Sequence, residues 1–184
     1  EAGGHRGNFL SDDMATQIGT FALVPQVVDA VTVPVIAAGG IADARGIAAA
    51  FALGAAAAQI GTAYLYTPEA RIAAPHREAL RSERAGETAL TNVFTGRPAR
   101  GILNRVMRET GPLSDDAPAF PLAGGALAPL RAASEKAGSD GFMSLWAGQA
   151  ARLSREMGAA ELTRTLAAEA MARLAGLAGA RRDG

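Results

Sequence analysis

The sequence predicts an α/β fold to residue 66 and a mainly helical region over 67–184. Three observations carry this. Two short apolar runs, 35–38 and 57–60, each end in glycine and flank one helical stretch, the pattern of parallel strands joined by a crossover helix. Seven prolines, Pro68, Pro75, Pro98, Pro112, Pro118, Pro121 and Pro129, then break the chain into short pieces. Near the end, apolar residues return at helical spacing.

Taken in order, residues 21–31 carry Leu23, Val24, Val27, Val28 and Val31 on a helical period, with Pro25 near the start, where proline is tolerated. Pro34 precedes Val35-Ile36-Ala37-Ala38, a fully apolar run expected as a buried parallel strand. Gly39-Gly40 ends it, and Asp43 is placed to cap the next helix. Ile47, Ala50, Phe51 and Gly54 share one face of that helix, with Gly54 as its stop. Residues 57–60 form the next strand, ended by Gly61-Thr62. The result is a βαβ unit of about thirty residues, expected to be right-handed.

Beyond residue 66, the stretch 77–85 is charged and expected to be exposed, and His76 beside it reads as a surface residue. Short helices are expected at 104–108 and 130–137, with a small-residue loop over 123–128. Trp146, Ala150, Leu153 and Met157 form one helical stripe, and Leu162, Leu166, Ala170 and Leu174 a second. The two helices are expected to pack on each other or on another surface. Residues 181–184 are expected to fray. No internal repeat is present.

Composition excludes several classes. Eighteen basic and eighteen acidic residues give no net charge, and no basic patch suggests a nucleic-acid partner or an anionic membrane. Only Lys136 is a lysine, and the arginines are scattered. There is no cysteine, which removes disulfides, thiolate zinc sites and a cysteine nucleophile from these residues and is compatible with a reducing compartment. The longest apolar stretch, 47–60, is interrupted by Gly54 and too short for a membrane span. Asp12, Asp13, Asp115 and Asp116 have no histidine at metal-ligand spacing and read as turns or caps, so no metal is expected.

The chemistry-bearing segments are few. A strand, a glycine turn and a helix start expose backbone N–H groups to an anion. Ala38-Gly39-Gly40 and Gln59-Ile60-Gly61-Thr62 are two such turns, and Thr62 adds a hydroxyl. Either turn alone is better read as a sharp bend. Two on adjacent strands favour a phosphate site of the kind found late in (β/α)8 barrels. His5 lies among Gly3, Gly4 and Gly7, where a ligand has room and imidazole suits a general base. Spacing alone nevertheless favours an ordinary exposed loop histidine. Arg97 and Arg100, in the segment 95–101, suit either a bound anion or carbonyls of a structural loop. Gly148, before Gln149, is better read as a packing glycine than as a ligand contact.

Residues 1–7, 37–41, 59–62, 94–102 and 145–149 together resemble nitronate monooxygenase, formerly 2-nitropropane dioxygenase, in order along almost the whole chain. The resemblance implies the C-terminal part of an FMN-dependent TIM (β/α)8 barrel followed by a helical region. The chain starts without Met, and two or three strands cannot close such a barrel, so earlier strands are expected upstream. By resemblance, His5 is the base or electrostatic partner for a nitroalkane or nitronate. FMN is expected at Gly4, Gly7, Ala38, Gly39, Gly40, Gln59, Ile60, Gly61 and Thr62. The implied activity is oxidation of small nitronates by O2 to carbonyl compounds and nitrite, in the cytoplasm. The rival families are FMN-dependent enoyl-[acyl-carrier-protein] reductase, with the same histidine and glycine loops, and inosine-monophosphate-dehydrogenase-type barrels, whose chemistry needs a cysteine this chain lacks. A third alternative is a truncated relic without activity.

Overall fold

The computed structural model describes residues 1–11 and 13–179. Asp12 and residues 181–184, for which a turn and a frayed end are expected, lie outside the described residues. Along the chain the strands and helices are β1 (Gly4–His5), α1 (Thr20–Ala30), β2 (Ile36–Ala38), α2 (Ala44–Ala52), β3 (Ala57–Gln59) and α3 (Ala74–Arg81). Then follow β4 (Thr88–Thr91), β5 (Ala99–Ile102), α4 (Arg105–Thr110), α5 (Ala123–Ala126), α6 (Ala128–Lys136) and α7 (Ala159–Gly179). They form two compact units. One combines Glu1–Gln17 with Arg71–Arg152, and the other combines Ile18–Ala70 with the chain from Leu153. The units are therefore discontinuous in sequence, and the boundary at residue 66 falls inside the second.

In the second unit, β2 and β3 pair in parallel, with Ile36 opposite Ala57 and Ala38 opposite Gln59. Helix α2 makes the crossover. Asp43 caps it by accepting from the N–H groups of Arg45 (2.9 Å) and Gly46 (3.4 Å). Gly54, at φ +93°, ends it in a backbone conformation that disfavours any side chain. Val24, Ala37, Ala50 and Ala55 form the core beneath, with Val28 and Ile41 packed on it. Strand β2 is less enclosed than its apolar sequence implies, because only Ala37 is buried and Ile36 is 60 % exposed. Phe51 is also exposed, and Ala44 and Ala48 join Ile47 and Ala50 on the buried face of α2. Pro25 sits inside α1 rather than near its start, since that helix begins at Thr20.

Helix α7 buries Leu162, Leu166 and Ala170 and packs on α2. The Glu69 carboxylate caps its first turn by accepting from Ala159 N–H at 3.0 and 3.1 Å. The helix expected over Trp146 to Met157 does not form. Leu145, Ala147 and Ala151 are buried, but the segment is held extended by Ile102 N–H donating to the Leu145 carbonyl (2.8 Å) and by a bridge between Gly101 and Trp146. Only Ala151–Leu153 closes a short 3-10 turn. The spaced residues Trp146, Ala150, Leu153 and Met157 do not form a buried face either, and Leu153 is 47 % exposed.

The first unit holds an antiparallel sheet ordered β1-β5-β4, with His5 opposite Ala99, Gly4 opposite Arg100, and Thr91 also opposite Ala99. The later chain is mainly helical, and β4 and β5 are two short strands in it that the sequence did not reveal. The strands of this sheet are four residues or fewer and too short to show a period. Residues 123–126, expected as loop, are helical. His76, expected at the surface, is 6 % exposed, because Ala79 and Leu80 turn that face of α3 inward and carry it along. Val93, Phe94, Val106 and Met107 form the core. Asn104, fully buried, caps α4 and donates to the carbonyls of Asp140 (3.1 Å) and Met143 (2.8 Å). Among the described residues, no helix is long and apolar enough to cross a membrane.

Candidate functional site

His5 is the centre of the first unit's candidate site. It lies on the edge strand β1, where Gly4, at φ +80°, adopts a conformation suited to glycine. The next residue, Arg6, is tied to β5 by its N–H donating to the Pro98 carbonyl at 2.9 Å. The ring is exposed, not buried. Its Nε2 is 2.8 Å from the Thr95 hydroxyl. Phe120 meets it edge-on at 5.8 Å between centroids, and Trp146 lies at 5.6 Å. Phe94 stands at right angles to Trp146 at 5.2 Å and fixes that wall from behind.

The two expected roles of the arginine segment resolve toward structure. Arg97 donates to the Asn8 carbonyl (3.1 Å) and stacks over Phe9 and Phe120. Arg100 donates to the carbonyl and hydroxyl of Thr88. Arg6 donates to the carbonyls of Ala2 and Gly4. Burial holds the Arg6 guanidinium below the usual arginine range, and the charge of Arg100 adds to the effect. Burial also lowers Arg100, with Glu1 opposing it. Arg6 and Arg100 lie on the face of the sheet opposite His5, because the register sets Arg100 beside Gly4 and His5 beside Ala99.

Gly96, at φ +92°, lets residues 118–120 lie directly on the turn before β5. That contact sets Phe120 against His5. Gly148 is likewise a packing glycine: a Cβ there would lie 2.8 Å from the Glu1 carbonyl oxygen. His76 donates its Nε2–H to the Trp146 carbonyl at 3.1 Å. Burial pushes its pKa below the ordinary histidine value, Arg77 adds to this, and the Trp146 contact and Asp140 oppose it. His76 is a neutral strut under the aromatic wall, a role that its place in a charged stretch concealed.

The second unit carries the glycine turns. The parallel register, with Ala38 beside Gln59, sets Gly39-Gly40 and Ile60-Gly61 at the same end of neighbouring strands. Ala38, Gly40, Gln59 and Gly61 are exposed there, while Gly39, Ile60 and Thr62 are half-buried. Gly39 and Gly40 have φ of +107° and +71°. Thr20 donates its hydroxyl to the Gly39 carbonyl at 3.0 Å and steadies the turn. The N-terminus of α2 is not the anion site, because the Asp43 carboxylate already takes its N–H groups. The turns themselves remain. Gly61 is the informative position: its φ of −105° suits any residue, and a Cβ would meet nothing within 4 Å. Neither backbone nor packing calls for glycine there, as expected of a cradle that a ligand fills. Gly7 is similarly open, and the two turns fit a phosphate-bearing cofactor.

An α/β barrel segment with a parallel strand pair, glycine turns and a histidine on a glycine-flanked strand defines a flavoenzyme barrel class. The chain belongs to the nitronate monooxygenase family, whose model matches residues 1–169. It is 46% identical over 170 residues to a nitronate monooxygenase of Pseudomonas aeruginosa, covering 92% of this chain and 48% of that one. It is 40% identical over 161 residues to a probable nitronate monooxygenase of Staphylococcus saprophyticus, covering 86% and 45%. Among solved structures, nitroalkane oxidase from Streptomyces ansochromogenes superposes with a TM-score of 0.88 at 46% identity, covering 96% of this chain and 51% of that one. FabK from Thermotoga maritima superposes at 0.74 with 30% identity, covering 97% and 54%. The chain spans about half the length of the curated relatives it matches and corresponds to their C-terminal portion. The family and these structural neighbours are flavoproteins, which supports a flavin cofactor.

Proposed function

We propose that the intact protein oxidises alkyl nitronates with O2, giving carbonyl compounds and nitrite, and that its flavin is FMN. The observation that carries this is the setting of His5: exposed on a glycine-flanked strand, hydrogen-bonded at one nitrogen, and walled by Phe120 and Trp146. Such a site places a base against aromatic walls that suit a small apolar tail.

The residues fit FMN. Ala38, Gly39, Gly40, Gln59, Ile60, Gly61 and Thr62 would hold it, their turns giving a monophosphate backbone N–H groups without a Cβ in the way. Gly4 and Gly7 leave the strand around His5 clear, since a Cβ at either would meet nothing within 4 Å. Bound, FMN supplies two-electron redox chemistry, and the protein supplies position and electrostatics. For a neutral nitroalkane, His5 takes the α-proton. For a nitronate, already deprotonated, it only orients and stabilises the anion. Small-molecule turnover of this kind is consistent with a cytoplasmic enzyme.

The test is O2 uptake with propionate 3-nitronate set against NADH consumption with an enoyl thioester, on the intact protein. Nitronate turnover with nitrite release supports the proposal. Turnover of the enoyl substrate alone would move the assignment to the reductase reading, whose support is the weaker FabK likeness.

A further inference from the structure

We propose that Thr95 is a positioning residue for His5: its hydroxyl holds the Nε2 edge of the ring and leaves Nδ1 as the atom that takes the substrate's proton. The inference rests on the reading of His5 as a base.

The ring contacts are one-sided. Nε2 lies 2.8 Å from Thr95 Oγ1, and among the described residues Nδ1 has no hydrogen-bond partner. Thr95 is itself fixed. It sits in a tight turn closed by Gly96 N–H donating to the Asn92 carbonyl at 2.7 Å, one strand-turn ahead of Ala99, the residue opposite His5. Oγ1 also lies 3.4 Å from both the N–H and the carbonyl of Arg97.

A threonine hydroxyl has one proton to donate and two lone pairs to accept with. In the proposed arrangement the Arg97 N–H takes one lone pair of Oγ1 and the hydroxyl proton turns to the Arg97 carbonyl, both long contacts at 3.4 Å. The remaining lone pair then accepts Nε2–H of His5. With the hydroxyl so turned, Nε2 carries the proton and the ring's lone pair is on Nδ1, which is left for the substrate. In the proton step, the α-carbon–hydrogen bond of a neutral nitroalkane breaks. Its electron pair stays on the substrate as the nitronate, and the proton bonds to Nδ1. The imidazolium so formed keeps its Nε2–H bond to Oγ1, and no hydroxyl has to turn. Phe120 and Trp146, on the flanks, restrict swinging of the ring.

The test compares wild type, Thr95→Val, Thr95→Ser and His5→Asn in the intact protein, with neutral nitroethane and preformed ethyl nitronate as substrates. Thr95→Val is expected to lower kcat/KM for nitroethane about 10- to 100-fold through misplacement of the base, with a much smaller loss on the nitronate. Thr95→Ser restores most of the loss. Nitrogen-15 spectra of neutral His5 should show the Nε2–H tautomer in wild type and Thr95→Ser, and a mixture in Thr95→Val. An Nδ1–H tautomer in wild type overturns the proposal, and needs no variant to fold. So does a Thr95→Val enzyme with wild-type nitroethane kinetics, or one that loses both substrates equally. If His5→Asn leaves nitroethane oxidation intact, the base reading falls and this proposal with it. A normal His5→Asn loss beside an inert Thr95→Val overturns the positioning role alone.

Discussion

Replacing Gly96 by alanine should break the contact that holds Phe120 against His5. Gly96 has φ +92°, where an L side chain costs about 1–2 kcal/mol. A Cβ would also fall inside contact distance of Phe120 N and Pro118 O and lie 2.6 Å from the Ala119 carbonyl carbon. Carbon contacts are ordinarily about 3.5–4.0 Å, so the 118–120 backbone has to retreat by roughly 1 Å. Overpacking of that kind costs about 1–3 kcal/mol. The sum is about 2–5 kcal/mol. Gly125→Ala is the internal comparison. It lies in α5 without positive φ, a Cβ there meets nothing within 4 Å, and helix propensity favours alanine by up to about 1 kcal/mol. Denaturant titration of both variants in the intact protein measures the difference. The chemical shifts of the His5 ring, which sense the Phe120 ring, report the local displacement. A Gly96→Ala protein within about 0.5 kcal/mol of wild type, with unchanged His5 shifts, would refute the reasoning.

Gly61→Val should leave stability nearly unchanged, since φ and space both permit a side chain, yet the protein should purify pale; absorbance near 450 nm per polypeptide measures it. Gly40→Val should be pale and also less stable, because φ is +71° there. His76 makes stability pH-dependent. Its folded pKa lies below the unfolded value of 6.5, so its contribution is complete above that value and is lost as pH falls through and below it, where the unfolded chain takes the proton first. Denaturant midpoints at pH 7.5 and 5.5 should show this loss, and His76→Gln should reduce it.

The βαβ unit was legible because its signals are local. Asp43 caps α2, Gly54 stops it, and the apolar runs end at Gly39 and Gly61. Helix α7 was legible from Leu162, Leu166 and Ala170. What the sequence concealed depends on partners distant in the chain. Trp146 has helical spacing to Ala150 and Leu153, yet it is held by Gly101 across the sheet. His76 sits among charges, yet α3 turns it under Trp146. Thr95 and Phe120 carry no motif that ties them to His5, ninety or more residues away; only the register of β1 on β5 and the close packing of residues 118–120 on Gly96 bring them there.

The central claim is that His5 is the base of a nitronate-oxidising site, and the most direct measurement is the ratio of kcat/KM for a neutral nitroalkane to that for its nitronate, in wild type and in His5→Asn. The expected result is a fall of roughly 10²- to 10⁴-fold on the neutral substrate with a much smaller fall on the anion. Equal losses on both substrates would contradict it and leave His5 a binding or orienting residue.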